Sequence, residues 1–433
     1  MEAPDRSEEL PDDEPAGAES AVNSDVAAAD DEDDHDGGGN RVVGVAKSVG
    51  SGIGDGIGRA TRSARTAGVV AGVSDWLNAT RRERKLGKGT MRSTYVVAYR
   101  GYVADGRAHV RVRVMEEPVI PPPAEAITDT TALKANLRRF AALSFPGVKL
   151  RLSQGKAYDE VESGRHGYAT TQLPVGELKP GWHDYEVVTQ PDDPDEEPTK
   201  ATGQVLMPDP KSRLAVISDL DDTVLKTGLG EGLVAVRRTL FGQAQTRHPI
   251  PGMATLYRAI EAGKPGNGRA SFFYLSTGPW NLYDMLTEFL ELRGFPAGPL
   301  FLTDWGPQER YVTRSGREHK RKALRRLFDL YPDMSFVLVG DSGQRDPDVY
   351  TEIARDQPGR VRAIVIIDAG EHAAERGEEL LEAAPELREQ GIPFVFVKDA
   401  REAAGRLEVM GLIAPAAVSS VALAYERGIA AEG

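Results

Sequence analysis

Residues 214–223 read Leu-Ala-Val-Ile-Ser-Asp-Leu-Asp-Asp-Thr, and no other segment narrows the possible folds as far. Four apolar residues run straight into two carboxylates spaced i, i+2. A short apolar run bounded by polar residues is the pattern of a strand buried on both faces. In an open parallel sheet, ligands bind beyond the carboxyl ends of the strands. Asp219 and Asp221 therefore fall where such a sheet places its chemistry. Asp-x-Asp alone also occurs in surface turns, so the pair needs support from elsewhere in the chain.

Three further signals supply it, in order. Residues 271–277 read Ser-Phe-Phe-Tyr-Leu-Ser-Thr, an apolar strand ending in a hydroxyl at Ser276. Lys320 and Lys322 follow in a helical stretch. Residues 336–346 read Phe-Val-Leu-Val-Gly-Asp-Ser-Gly-Gln-Arg-Asp, a third strand ending in Gly340-Asp341. Ser315-Gly-Arg-Glu318 has the form of a capping box, which predicts a helix from 316. Lys320 shares the helix face of Leu324, Leu327, Phe328 and Tyr331, whereas Lys322 points away. Strands are expected at 214–218, 271–275, 298–303, 336–339, 363–367 and 393–397, with helices between them. That alternation predicts an α/β fold built on a doubly wound parallel sheet over residues 208–426.

The order acid pair, hydroxyl, lysine, acid resembles the four motifs of the haloacid dehalogenase-like phosphatases. Longer matches narrow it: Ser218-Asp-Leu-Asp-Asp-Thr223, Tyr274-x-Ser276-x-x-Pro279-Trp280-x-Leu-Tyr283, Gly294-Phe-Pro-x-Gly-Pro-Leu300, His319-Lys320 and Gly340-Asp-Ser-Gly-Gln-x-Asp-Pro-Asp-x-Tyr350. These resemble the family of the yeast actin-patch phosphatidate phosphatase and its bacterial relatives over about residues 208–370. The resemblance implies a Mg²⁺-dependent phosphomonoester hydrolase working through an aspartyl-phosphate, with phosphatidate as substrate. It implies Asp219 as nucleophile, Asp221 as general acid and base, and Lys320 as a cation on phosphate. Ser276, Thr277 and Thr223 would bind phosphate or order the loop. Asp219, Asp341, Asp346 and the backbone carbonyl of Asp221 would hold Mg²⁺ or its waters, a donor set that suits a hard cation. Asp222 is expected in the first turn of a helix, and Trp280 in packing. One departure is visible: the family tends to carry an arginine after the strand following the fourth motif, where this chain has Val365-Ile-Ile-Asp368. Rival readings are a phosphatase of a soluble phosphomonoester or phosphoprotein, and a non-enzymatic scaffold.

The chain has 433 residues and a net charge of −13. That charge is local. Residues 1–40 hold 15 Asp/Glu and one Arg, with too few large apolar residues to fold. Residues 41–92 reverse the sign, with 11 Lys/Arg against three acids. Val42, Val45, Val49, Ile53 and Ile57 recur there at helical spacing among six glycines, each of which costs a helix roughly 1 kcal/mol. Such a segment is either a flexible basic linker or a helix that forms on an anionic membrane surface. Residues 93–207 alternate as short strands with Asp105-Gly106 as a hairpin turn, which predicts a small antiparallel β-sandwich-like domain. A short helix is expected at 133–143, and a small helical cap over the site around Leu233–Phe241. The three histidines of this region, His109, His166 and His183, read as structural. There is no cysteine, hence no thiol nucleophile or thiolate metal site. No apolar run reaches the ~18 residues of a membrane span. The expectation is a cytoplasmic protein, peripheral to the membrane if the basic segment binds lipid. Nucleic acid is not expected as a partner.

Overall fold

The structure, a computed structural model, describes residues 94–116, 143–164, 166–224, 249–264, 266–303, 312–368 and 373–432. The acidic tail, the basic segment, most of the helix expected at 133–143 and the cap around 233–241 lie outside the described residues. The elements fall into an antiparallel sheet followed by a parallel one, both within one compact unit of the chain.

The first sheet holds β1 (Thr94–Ala98), β2 (Gly101–Ala104), β3 (Arg107–Glu116), β4 (Lys149–Gln154), β5 (Ala157–Glu162), β6 (Tyr168–Pro174), β7 (Gly181–Thr189) and β8 (Lys200–Met207). In place of two stacked layers there is one continuous eight-stranded sheet, ordered β1-β3-β2-β8-β7-β4-β5, with β6 on the free side of β3. All pairings are antiparallel except β2–β8. The sheet curls until β5 and β6 approach, where the Thr171 hydroxyl donates to the Asp159 carboxylate. Curling lets one sheet enclose its own core of Val110, Val112, Val114, Leu150, Leu152, Tyr185 and Val205. A two-residue Asp-Gly turn at 105–106 has both φ angles positive, as a primed hairpin turn requires.

The second sheet holds β9 (Leu214–Asp219), β10 (Ser271–Pro279), β11 (Leu300–Thr303), β12 (Ser335–Asp341), β13 (Val361–Ile367) and β14 (Phe394–Val397). All six pair in parallel, in the order β11-β10-β9-β12-β13-β14. Counted within the sheet this is 3-2-1-4-5-6, a doubly wound order whose switch point lies between β9 and β12. Alternation along the strands divides the apolar residues between two cores. Val216, Val337 and Val365 face α1 (Met253–Ala262), α2 (Tyr283–Leu292), α6 (Ala400–Val409) and α7 (Pro415–Glu432). Ala215, Ile217, Leu338 and Ile364 face α3 (Val312–Leu330), α4 (Asp346–Asp356) and α5 (Ala373–Glu389). The expected strands are all present.

The two sheets share their cores. Tyr99, at the bend between β1 and β2, lies 4.5 Å from the Trp280 ring and 4.7 Å from Tyr283. Tyr102 joins Phe273, Phe301 and Tyr331 on the opposite face of the parallel sheet. The Tyr331 hydroxyl donates to the Val103 carbonyl at 3.0 Å. Each fully buried aromatic side chain contributes on the order of 1.5–3 kcal/mol by transfer from water, so this seam is built like a domain interior.

Candidate active site

Strand register brings the acids together. Asp219 ends β9 opposite Leu275, so Ser276 stands one residue beyond it on β10. Ser218 is opposite Val339, so Gly340 is level with Asp219 and Asp341 stands one residue past it on β12. Both strands end at the switch point, and α4 starts with Asp346 directly behind Gly340. A Cβ on Gly340 would sit 2.5 Å from Asp346 Oδ2; only glycine lets that carboxylate lie against the strand.

Asp219, Asp341 and Asp346 are fully buried and offer ligand oxygens within 4.8 Å of one another. Lys320 reaches into the group from α3, with Nζ 2.8 Å from Asp219 Oδ1 and 2.5 Å from Asp346 Oδ1. It is 3% exposed, whereas the Lys322 side chain is 76% exposed and, among the described residues, pairs with Glu318 at 4.0 Å. The helix-face argument expected Lys320 to point inward and Lys322 outward, and the two side chains lie so. Its premise needs correction: α3 begins at Val312, and Ser315-x-x-Glu318 falls inside it. A Ser-x-x-Glu pattern is short enough to occur within a helix, and the heptad-like apolar face is the stronger signal.

Asp221 follows the strand, and its Oδ2 accepts a 3.0 Å hydrogen bond from Ser276 Oγ. Ser276 Oγ in turn accepts from the Gly278 amide at 2.9 Å. The hydroxyl thus orders its own loop while holding Asp221 in place. Thr303 Oγ1 donates to the carbonyl of the partly buried Thr277 at 2.7 Å and pins the same loop. Thr223 is buried, and its Oγ1 has no hydrogen-bond partner among the described residues. Asp222 has φ of 52°; it is a left-handed turn residue, not the first turn of a helix. Aspartate tolerates that region better than most residues, and the reversal lets Asp221 and Thr223 both turn inward.

Gln344 is the residue that the spacing argument did not single out. Its amide nitrogen lies 3.4 Å from both Asp219 Oδ2 and the Asp221 carbonyl, and its oxygen 3.4 Å from Lys320 Nζ. Its position inside Asp-Ser-Gly-Gln-x-Asp was the only available signal. Ser218 was likewise missed: its hydroxyl meets the Tyr257 hydroxyl and the Asp219 carbonyl, both at 2.6 Å, behind the first acid.

Charge in this pocket is unbalanced. Burial, reinforced by neighbouring carboxylates and opposed by Lys320, pushes the Asp219 and Asp341 carboxyls well above the usual range. Burial alone would lower the Lys320 ammonium, but Asp219, Asp346 and Asp341 outweigh it and hold it well above an ordinary lysine. Among the described residues, both Asp341 carboxylate oxygens and Asp346 Oδ2 are buried without a well-aligned donor, although the field of the Gly343 amide reaches Asp341. Buried oxygens are nearly always hydrogen-bonded. Three convergent carboxylates with orphaned oxygens fit a divalent cation with oxygen preference.

Residues 214–368 match the family model described as the catalytic domain of phosphatidate phosphatase APP1. A stretch of 154 residues is 29% identical to phosphatidate phosphatase APP1 of Saccharomyces cerevisiae, covering 35% of this chain and 25% of that protein. An uncharacterized protein of Schizosaccharomyces pombe is 27% identical over 159 residues, 36% of this chain and 26% of its own length. The chain thus spans about a quarter of the length of these curated relatives. Among solved structures, a carbohydrate acetylesterase from Xanthomonas citri aligns at TM-score 0.22 and 11% identity over 56% of this chain and 60% of its own. A Photobacterium 2,6-sialyltransferase aligns at 0.23 and 8%, over 73% and 56%. Likeness at that level carries no argument. By class, the parallel-sheet part of the chain is similar to the catalytic domain of a phosphoric monoester hydrolase.

Proposed function

We propose that the protein is a phosphatase of the haloacid dehalogenase type that hydrolyses a phosphomonoester through an aspartyl-phosphate, with phosphatidate as substrate and diacylglycerol and phosphate as products. The observation that carries this reading is the buried cluster of Asp219, Asp341, Asp346 and Lys320 at the switch point of a parallel sheet. An Asp219 oxygen attacks phosphorus while the bond to the leaving oxygen breaks. Asp221, held by Ser276, gives that oxygen its proton and later takes one from the water that frees Asp219. Lys320 keeps Asp219 ionised within an otherwise raised carboxylate set and meets phosphate charge as it develops. Asp219, Asp341, Asp346 and the Asp221 carbonyl would hold Mg²⁺, which when bound offsets repulsion between anionic nucleophile and anionic substrate.

The lipid substrate rests on the family. Where the family tends to carry an arginine, Asp368 follows β13 with a carboxyl raised by burial, then moderated by Lys398 and by a hydrogen bond from Ser342. A soluble phosphomonoester is the second reading, favoured by this departure alone. We take residues 93–207 as an accessory β-domain and 208–426 as the catalytic domain, with the basic segment 41–92 as a seat on anionic lipid. Phosphate release from phosphatidate vesicles and from p-nitrophenyl phosphate, each with Mg²⁺ and with chelator, tests the reading. Asp219→Asn should abolish all metal-dependent release. Activity within about tenfold of wild type corresponds to only about 1.4 kcal/mol of barrier and would remove Asp219 as nucleophile.

A further inference from the structure

Pairing between β10 and β11 slips between Leu275 and Pro279. Ser276, Thr277 and Gly278 therefore form a bulge, a device that re-aims a side chain beside a site. Here it aims Ser276 at Asp221. A bulge interrupts the ladder, so contacts outside the ladder must hold it in place. Thr303 Oγ1 holds the Thr277 and Gly278 carbonyls from β11, at 2.7 and 3.2 Å. Further contact comes from the 3-10 turn that follows, Trp280–Leu282. A Cβ on Gly278 would lie 3.1 Å from Ser276 Oγ and 3.3 Å from Leu282 Cδ1. Bulge and turn are thus packed against each other without slack.

That turn is gripped from the curled sheet. Trp280 packs on Tyr99 and lies under the Arg111 guanidinium, 4.6 Å from the ring centre. The Arg100 backbone amide donates to the Tyr283 hydroxyl at 2.8 Å. Between them in sequence, Asn281 Oδ1 accepts from Arg113 Nη1 at 2.9 Å. Arg113 is 8% exposed. It donates further to the Ser144 hydroxyl at 2.9 Å and the His166 carbonyl at 3.3 Å, and lies 4.5 Å over the Tyr168 ring. All three acceptors are neutral. Burying a guanidinium among neutral groups is costly, and apolar residues of similar volume could join two sheets at less cost. What the guanidinium adds is direction, because its donors are fixed in one planar fork. We propose that Arg113 is a positioning residue for the phosphatase reaction. Through Asn281 it fixes the turn, the turn fixes the Ser276 bulge, and the bulge sets the line along which Asp221 gives its proton to the leaving oxygen. Resting on the phosphatase reading, this gives the curled sheet a part in catalysis.

Changing the leaving group separates proton delivery from general loosening of the fold. p-Nitrophenolate departs without a proton, whereas the alkoxide of a soluble short-chain phosphatidate needs one. The comparison uses kcat/KM of the full-length protein with Mg²⁺, which reads transition-state stabilisation from free enzyme and substrate. Asn281→Ala should lower it by about tenfold on short-chain phosphatidate, a part of the roughly 10²–10⁴ that general acid catalysis contributes, and by less than about twofold on p-nitrophenyl phosphate. Asn281→Asp keeps an acceptor for Arg113 and should recover most of the loss. Arg113→Lys keeps the charge without the fork and should show the same split between esters. Combining it with Asn281→Ala should add nothing further, as for two members of one contact. Asn281 is half-buried, so Asn281→Ala should still melt cooperatively. Hydrogen exchange over residues 276–283, read by mass spectrometry on metal-free protein, should quicken in Asn281→Ala and not in Asn281→Asp. A wild type inactive on both esters sinks the phosphatase reading and the positioning role with it. An active wild type with equal losses on the two esters, additive losses in the double variant, or unchanged exchange in Asn281→Ala overturns the positioning role alone.

Discussion

Replacing Lys320 by methionine isolates the cation of the cluster while keeping the length of the side chain. In the wild type one buried ammonium faces Asp219 at 2.8 Å and Asp346 at 2.5 Å. Removing one partner of a buried ion pair costs about 3–5 kcal/mol, because the remaining charge is stranded. Here the stranded charges can escape by taking protons, and burial already pushes the Asp219 and Asp341 carboxyls upward. The penalty should therefore depend on pH. A carboxyl whose folded pKa exceeds its unfolded value near 3.9 stabilises the fold most below that value. That stability drains away as pH rises toward the folded pKa. Lys320, raised above its unfolded value near 10.4, is charged in both states at neutral pH and supplies compensation throughout. Without it, melting temperatures in chelator should fall by on the order of 5–10 °C at pH 8, and by much less at pH 5. Lys322→Met, which loses only a 4.0 Å surface contact, should cost about 0.5 kcal/mol or less at either pH. Turnover should fall by roughly 10²–10³ for Lys320→Met, the range seen on removing one preorganised donor. Thermal melts by circular dichroism at the two pH values check the stability argument. Equal melting of wild type and Lys320→Met at pH 8, or comparable rate losses from the two lysines, would falsify it.

Gly340→Ala puts a Cβ 2.5 Å from Asp346 Oδ2; overpacking of that kind costs about 1–3 kcal/mol. It should also displace the partner of Lys320, so both melting temperature and phosphatase rate should drop, with Gly340→Ser worse than Gly340→Ala. Asp341→Asn removes one of three crowded carboxylates. It should raise the metal-free melting temperature at pH 8 while abolishing the stabilisation that Mg²⁺ gives the wild type. In the wild type that Mg²⁺ stabilisation should be larger at pH 8 than at pH 5, since the cation displaces protons held by the raised carboxyls. Deleting residues 1–92 should spare hydrolysis of a soluble phosphomonoester and weaken action on phosphatidate vesicles, because each basic group near an anionic surface is worth about 1 kcal/mol. Deleting only residues 1–40 should strengthen vesicle binding, and salt-independent, equal sedimentation of all three forms would reduce 41–92 to a linker.

Much of the parallel sheet was legible because buried strands announce themselves as apolar runs, and each of the six expected runs became a strand. The candidate site residues could be placed for the same reason: Asp219, Ser276 and Asp341 all stand where such a run stops. Lys320 could be chosen over Lys322 because helical periodicity fixes direction as well as burial. Failures came where local signals compete. The Ser315–Glu318 pattern was overridden by a helix already under way from Val312. Asp222 was misplaced because aspartate suits both a helix start and a left-handed turn. Strand β5 was not anticipated because its residues alternate between half-buried and exposed without a continuous apolar face. The single curled sheet was not anticipated either, since short alternating strands do not encode which edges meet. Nor could spacing reveal the aromatic seam through Tyr99 and Tyr102, which joins residues about 180 positions apart.

The charge imbalance itself argues that the cluster exists for chemistry. A buried polar network kept for stability is satisfied throughout, because in a low dielectric each orphaned oxygen is expensive. Around Asp219 the opposite holds: four acids, Asp219, Asp221, Asp341 and Asp346, face a single buried ammonium. Apolar residues of similar volume would pack there at no loss of stability. The two large cores on either face of the sheet, and the aromatic seam beyond β11, provide the surplus that lets the fold carry such a group. The rigid parts are also arranged around it. Gly340 seats Asp346, Ser276 fixes Asp221, Thr303 ties the Ser276 loop, and the Arg113 guanidinium reaches from β3 to Asn281 at 2.9 Å in that same loop. Among the described residues, both Asp341 oxygens, Asp346 Oδ2 and Thr223 Oγ1 are left without a hydrogen-bond partner in this restrained setting, and the carboxylate oxygens suit the divalent cation proposed above.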